Sequence, residues 1–323
     1  MNTRVQPTSA LARLALVSAV AWGASATPAG SAAPPFTEKF VDVAGIRTRY
    51  LEAGSGDPVV LIHGGNMGDG VNADRWDRNI GGFARGYRVI AFDSLGQGFT
   101  DNPKRDADYT MAASVEHTYN AIRALGLGRV HLVGASRGGY LVTRLALLHP
   151  EIARSIVVCN TATLAPETGD PNRRDQLVLT DAPKDPRGAE IHRLKQLSFS
   201  DEHITPATVD LAVRIMQQPK SEQARAKLAL LAKANAAAFA EEKADTLQRL
   251  KAGGVSVPML LVWGYNDRSA IMPNALALFD ILAAGNPGAR LYVLNQAAHY
   301  DYREHPDEFV DVVTAFLRGR AAR

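Results

Sequence analysis

The pentapeptide Gly134-Ala135-Ser136-Arg137-Gly138 constrains this chain more than any other feature. It has the form G-x-S-x-G, and its setting gives the pattern weight. The apolar run Arg129–Ala135 before it reads as a buried strand, and Gly139–His149 after it reads as a helix. A serine between the two sits on a tight turn that exposes its hydroxyl at the carboxyl edge of a sheet. Glycines two residues to either side fit, because side chains there collide with neighbouring backbone. A plain helix cap is the alternative role for that serine.

The rest of the chain supplies a sheet for that turn to sit on. Phe36–Val43 and Arg47–Glu52, split by Ala44-Gly45, read as a hairpin. Continuous apolar runs follow at Pro58–His63, Tyr87–Asp93, Arg154–Asn160, Pro258–Gly264 and Ala289–Asn295. Helical patterns lie between them at Tyr109–Leu125, Gly139–His149, Pro273–Ala284 and Pro306–Arg318. Alternation of this kind predicts an α/β fold with a mostly parallel sheet flanked by helices. Residues 164–254 break the rhythm. They hold turn signals at Gly169-Asp170-Pro171 and Asp181-Ala182-Pro183, then helical stretches at Thr205–Gln217 and Ser221–Lys251. The block reads as a helical lid inserted between two strands, with an enlarged helical crossover as the alternative. The core is then 36–163 and 255–323.

The first 35 residues read as a signal peptide and linker. Arg4 and Arg13 are its positive charges, Leu14–Trp22 its short apolar stretch, and Ala24-Ser25-Ala26 its small-x-small cleavage site. Cleavage after Ala26 predicts a periplasmic or secreted protein; a disordered tail is the alternative. Removing that segment lowers the net charge of +3 by two, to +1. So small a charge predicts no grip on nucleic acid or on a membrane surface, which leaves a small molecule as partner. The oligomeric state is not legible. Cys159, the single cysteine, falls in a Val-rich run and reads as a small core residue.

A serine hydroxyl needs a base to become a nucleophile. Of the eight histidines, His299 lies just beyond the last predicted strand, in a loop returning to the edge that carries Ser136. Asp267 follows the Pro258–Gly264 strand and emerges at the same edge, suited to orient the imidazole. Asp93 ends another strand and is the rival carboxylate, better placed as a turn or capping residue. His63-Gly64-Gly65-Asn66 follows a strand and presents open backbone N–H groups. Gly65 and Arg137 N–H form the expected oxyanion hole, with His63 structural. No metal-binding motif or phosphate loop is present, so no metal and no cofactor is expected.

With these residues in place, the chain from Phe36 to Arg318 resembles the α/β-hydrolase superfamily, whose triads run in the order Ser136, Asp267, His299. Within it the chain is similar to the meta-cleavage product hydrolases, the C–C bond hydrolases of aromatic degradation. The similar segments are Leu61-Ile62-His63-Gly64-Gly65, Tyr87–Asp93 and Val262-Trp263-Gly264-Tyr265-Asn266-Asp267-Arg268. The resemblance implies tryptophan after the histidine, where this chain has Tyr300, and methionine after the nucleophile, where it has Arg137. It also implies a lid arginine holding the substrate carboxylate; Ala212 occupies that place, with Arg214 two residues away. Asn66 stands where the family has glycine. Asn66, Tyr300 and Arg214 are therefore the candidate substrate contacts, and Trp76, Tyr140, Tyr265 and Tyr300 the candidate pocket walls.

Three readings follow. The first is an exported serine hydrolase of a small or medium carboxylic ester, such as an anionic half-ester, working through an acyl-enzyme. The departures and the leader favour it, since ring-cleavage pathways run inside cells. The second is a C–C hydrolase of vinylogous diketone acids using the same triad. The third is a ligand-binding protein of the same fold that turns over slowly.

Overall fold

The computed structural model describes residues 36–168 and 181–321. The leader and the Gly169-Asp170-Pro171 turn lie outside the described residues. Eight strands form one sheet: β1 (Thr37–Val43), β2 (Ile46–Ala53), β3 (Pro58–Ile62), β4 (Arg88–Phe92), β5 (Val130–Ala135), β6 (Ala153–Cys159), β7 (Met259–Gly264) and β8 (Arg290–Leu294). Their order is β1-β2-β4-β3-β5-β6-β7-β8. β2 pairs antiparallel with β1 and β4, and every other pairing is parallel. β1 and β2 coincide with the predicted hairpin, and the other six strands with the apolar runs of the sequence, to within two residues at either end.

Burial on both faces explains why those runs are continuous rather than alternating. Val60, Ile62, Leu132, Ile156, Val158, Leu261 and Trp263 point to one face. Val59, Leu61, Val133, Val157, Cys159, Leu260 and Val262 point to the other. Helices α2 (Met111–Ala124), α3 (Arg137–Leu148) and α7 (Met272–Gly285) cover the first face with Val115, Leu145 and Leu278. Helices α1 (Asp77–Phe83) and α9 (Pro306–Ala321) cover the second with Phe83, Phe309 and Leu317. Cys159 is fully buried in this second layer, and burial pushes its thiol well above the ordinary range, as suits a packing residue.

Between β6 and β7 the described residues form three helices, α4 (Pro186–Gln196), α5 (Pro206–Met216) and α6 (Pro219–Lys251), and no strand. Asp185 and Thr205 cap α4 and α5 by accepting the N–H groups of Gly188 and Thr208. The N-terminus of α6 rests on the loops after β3 and β4: Arg225 donates to the Gly68 carbonyl at 2.6 Å and Lys220 to the Thr100 carbonyl at 2.7 Å. A short helix α8 (Asp301–Glu304) follows the loop after β8. Among the described residues no helix is long and apolar enough to cross a membrane.

Candidate active site

The carboxyl ends of β3, β5, β6, β7 and β8 converge on one region. Ser136 stands between β5 and α3 with φ 56° and ψ −124°, a conformation costing roughly 1–3 kcal/mol that its surroundings must hold in place. Its N–H donates to the Cys159 carbonyl at 2.8 Å, and its own carbonyl accepts from Gly139 at 2.9 Å. A Cβ on Gly134 would lie 2.3 Å from the Gly138 carbonyl oxygen, and one on Gly138 2.4 Å from that of Ile62. The two glycines are thus required by close backbone approach, as the motif implies.

The loops after β7 and β8 bring Asp267 and His299 together. His299 Nδ1 lies 2.8 Å from Asp267 Oδ2. Asp267 is buried, and its other oxygen accepts the N–H groups of Ser269 and Ala270 at 2.7 and 3.0 Å. Ser269 joins the pair: its hydroxyl donates to Asp267 Oδ1 at 2.8 Å and lies 2.8 Å from His299 Nδ1. Asn160, at the end of β6, accepts the Gly264 N–H at 2.8 Å and donates to the His299 carbonyl at 3.4 Å. It ties the two loops to the centre of the sheet. The rival Asp93 is turned inward, where it accepts from Ala73 and Phe99 N–H at 2.7 Å each and pairs with Arg49.

The loop after β3 completes the region. His63 Nδ1 lies 2.7 Å from the Gly64 carbonyl, and its Nε2 accepts the Ser94 N–H at 3.2 Å. Burial pushes its pKa down, so the ring is a neutral structural bracket. Asp69 folds back over the loop and accepts the N–H groups of Asn66 and Val71. Gly65 and Arg137 donate their backbone N–H to no group among the described residues. Both border a cavity of about 260 Å³, walled by Gly64, Met67, Met111, Leu141, Leu228 and Phe239 among others. Helix α6 forms one side of it. The volume lies just under the usual range for small-molecule sites, about 300–1,000 Å³.

A nucleophile-bearing elbow, an Asp–His pair and two open amides at one sheet edge are the parts of an acyl-transfer site. Residues 57–306 match the model of the alpha/beta hydrolase fold family. The chain belongs to that family. It is a serine hydrolase similar to the meta-cleavage product hydrolases. It is 30% identical over 283 residues to the 2-hydroxymuconate semialdehyde hydrolase of Pseudomonas sp. strain CF600, covering 85% of this chain and 91% of that one. It is 29% identical to the 2-hydroxy-6-oxo-6-(2'-aminophenyl)hexa-2,4-dienoic acid hydrolase of Metapseudomonas resinovorans, covering 88% of this chain and 92% of that one. The meta-cleavage product hydrolase of Pseudomonas fluorescens IP01 superposes with a TM-score of 0.72 at 25% identity, over 87% of this chain and 97% of that chain.

The candidate substrate contacts of this hydrolase fare differently from one another. Asn66 is exposed and borders the cavity. Tyr300 is buried instead. Its ring meets that of His299 edge-on, and its hydroxyl accepts from Arg193 at 3.0 Å, so it buttresses the imidazole. Arg214 is exposed, with its guanidinium 5.6 Å from the centre of the Phe99 ring, and does not border the cavity. None of the four candidate wall aromatics borders it either. Trp76 packs on Tyr302, Tyr140 lies beneath Phe239, and Tyr265 is exposed. The wall aromatics are Phe239 of α6 and Tyr109, just before α2. Ser269, Asp69 and Asn160 escape the sequence pattern. Their one visible signal is position, two residues past Asp267, in the Gly68-Asp69-Gly70 turn, and at a strand end.

Proposed function

We propose that this hydrolase cleaves a C–C bond in a vinylogous diketone acid of the meta-cleavage type. What carries the reading is the match to dienoic acid and semialdehyde hydrolases over nearly the whole chain. The Asp267–His299 pairing beside the Ser136 elbow supports it. Ser136 attacks the ketone, His299 accepts its proton, and Asp267 holds the imidazole in the tautomer that can do so. Gly65 and Arg137 N–H receive the oxyanion. A carbon leaving group departs only if its electron pair passes into a conjugated carbonyl, which a 2-hydroxydienoate provides once its enol has tautomerised, with protonation at C5, to the vinylogous 2,6-diketone. His299 returns a proton to it, and water releases the acyl group.

This reverses the order of the first two readings drawn from the sequence. Ester hydrolysis stays as the second reading because Ala212 and Tyr300 depart from the family pattern. Export is a separate proposal, resting on Arg4, Arg13, Leu14–Trp22 and Ala24-Ser25-Ala26. A mature N-terminus at Thr27, read by mass spectrometry of the secreted fraction, supports it; an intact Met1 in the cytoplasm overturns it.

Product analysis tests the main reading. Incubation with 2-hydroxy-6-oxo-6-phenylhexa-2,4-dienoate yields benzoate and a hydroxypentadienoate with wild type and neither with Ser136→Ala. Unchanged dienoate alongside cleaved aryl ester sinks the C–C reading in favour of the ester one.

A further inference from the structure

One cation at the cavity, Arg137, has no side-chain hydrogen bond or ion pair among the described residues. Arg193 is engaged by Glu190 and by the Tyr300 hydroxyl, and Arg75 by the same glutamate. Lys220 is held by the Thr100 carbonyl, and Arg214 faces outward over Phe99. Among the described residues Arg137 is the only Arg or Lys bordering the cavity. Its guanidinium lies 6.0 Å from the centre of the Phe239 ring. Asp69, whose charge acts on it, has its carboxylate occupied by the amides of Asn66 and Val71.

Arg137 is half-buried, and a partly desolvated guanidinium without a counter-charge is costly, so a bound anion offsets that cost. Its planar fork suits a carboxylate, and exclusion of water strengthens the pairing. The lid offers no substitute. Ala212 is fully buried, with its Cβ 2.8 Å from where a Cβ on Gly70 would stand, so an arginine does not fit there. Glu242 also borders the cavity, and burial pushes its carboxyl up.

We propose that Arg137 is the specificity-determining residue of this site: its guanidinium binds a carboxylate carried by the substrate, in the cavity that Arg137 borders together with Gly64, the glycine packed against Ser136. One residue then serves twice, with its backbone N–H toward the oxyanion and its side chain toward the far end of the same substrate. The proposal rests on the serine-hydrolase reading but not on which bond is cleaved.

The test is a matched pair of aryl esters, para-nitrophenyl hydrogen glutarate and its neutral methyl ester. These report on the serine whether or not dienoates are cleaved, so a failure of the C–C reading is seen separately. The quantity is the ratio of kcat/KM for the anionic over the neutral ester. Wild type is expected to favour the anion about tenfold or more, Arg137→Met to show a ratio near one, and Arg137→Lys to fall between. Equal ratios in wild type and Arg137→Met overturn the proposal. A second measurement needs no variant. Glutarate is expected to slow fluorophosphonate labelling of wild-type Ser136 at concentrations where glutaramide does not, and equal protection by both overturns it too.

Discussion

The backbone N–H of His299 donates to the carbonyl of Leu197 at 3.0 Å, so the loop carrying the imidazole is hydrogen-bonded to the helical insertion. Glu304 reinforces the tie. Its carboxylate accepts the N–H groups of Phe199, Ser200 and Ala298, two from the insertion and one from the histidine loop. Replacing Glu304 by alanine leaves three amides without an acceptor, each loss costing about 1 kcal/mol or more. Glu304→Ala is expected to lower kcat/KM about tenfold. It also speeds amide hydrogen exchange in residues 197–200 and 298–299. Unchanged exchange there would refute the clamp.

Ser269 makes a sharper prediction, because it touches both partners of the Asp267–His299 pair. Its hydroxyl lies 2.8 Å from both the carboxylate and the imidazole and so fixes their relative position. Ser269→Ala is expected to lower kcat by about three- to tenfold with KM little changed, the mark of a loss felt in the transition state. Ser269→Thr, which keeps the hydroxyl, restores most of it. A rise in KM at constant kcat would place Ser269 in substrate binding instead.

The parts of this molecule legible in the sequence are those set by burial and local sterics. Strands such as β3 and β6 are apolar on both faces, so their continuous runs stand out. Ser136, Asp267 and His299 each follow such a run directly. What escaped notice depends on contacts far apart in the chain. Glu304 reaches Phe199, and Asn160 reaches His299, through single hydrogen bonds that leave no periodic trace. Helix α4 carries no apolar stripe of helical period, because it is mostly polar and buries only Glu190 and Leu194 fully. Helix α1 escaped because Gly81-Gly82 reads as a breaker. The aromatic walls were misplaced because nothing in the sequence tells a core-facing ring such as Trp76 from a cavity-facing one such as Phe239.

The elbow glycine has little freedom. With Gly138 pressed against the carbonyls of Ile62 and His63, Gly138→Ala forces β3 and the elbow apart. A destabilisation of about 1–3 kcal/mol and loss of fluorophosphonate labelling at Ser136 are expected. Full labelling at wild-type stability would show that the elbow does not need the close approach.

Three buried histidines give stability a pH dependence. Burial holds His117 and His131 at about 4 and His203 at about 3, below the ordinary 6.5. Between those values the unfolded chain binds protons that the native protein does not. Their contribution is therefore complete above pH 6.5 and is lost as pH falls toward 4. Thermal unfolding is expected to show Tm falling steadily over that window, as stability drops by on the order of 1–2 kcal/mol per histidine. His117→Asn is expected to flatten the slope. A Tm indifferent to pH between 7 and 5 would contradict this.

The reaction itself is tested most directly by kcat/KM of the protein for a 2-hydroxy-6-oxo-dienoate against that for a neutral aryl ester of matched size, with Ser136→Ala alongside. The expected result is multiple turnover of the dienoate, preferred over the ester and reduced at least about 10³-fold in Ser136→Ala. Rapid turnover of the ester with the dienoate left intact, or dienoate cleavage that survives Ser136→Ala, would contradict a C–C hydrolase built on Ser136, Asp267 and His299.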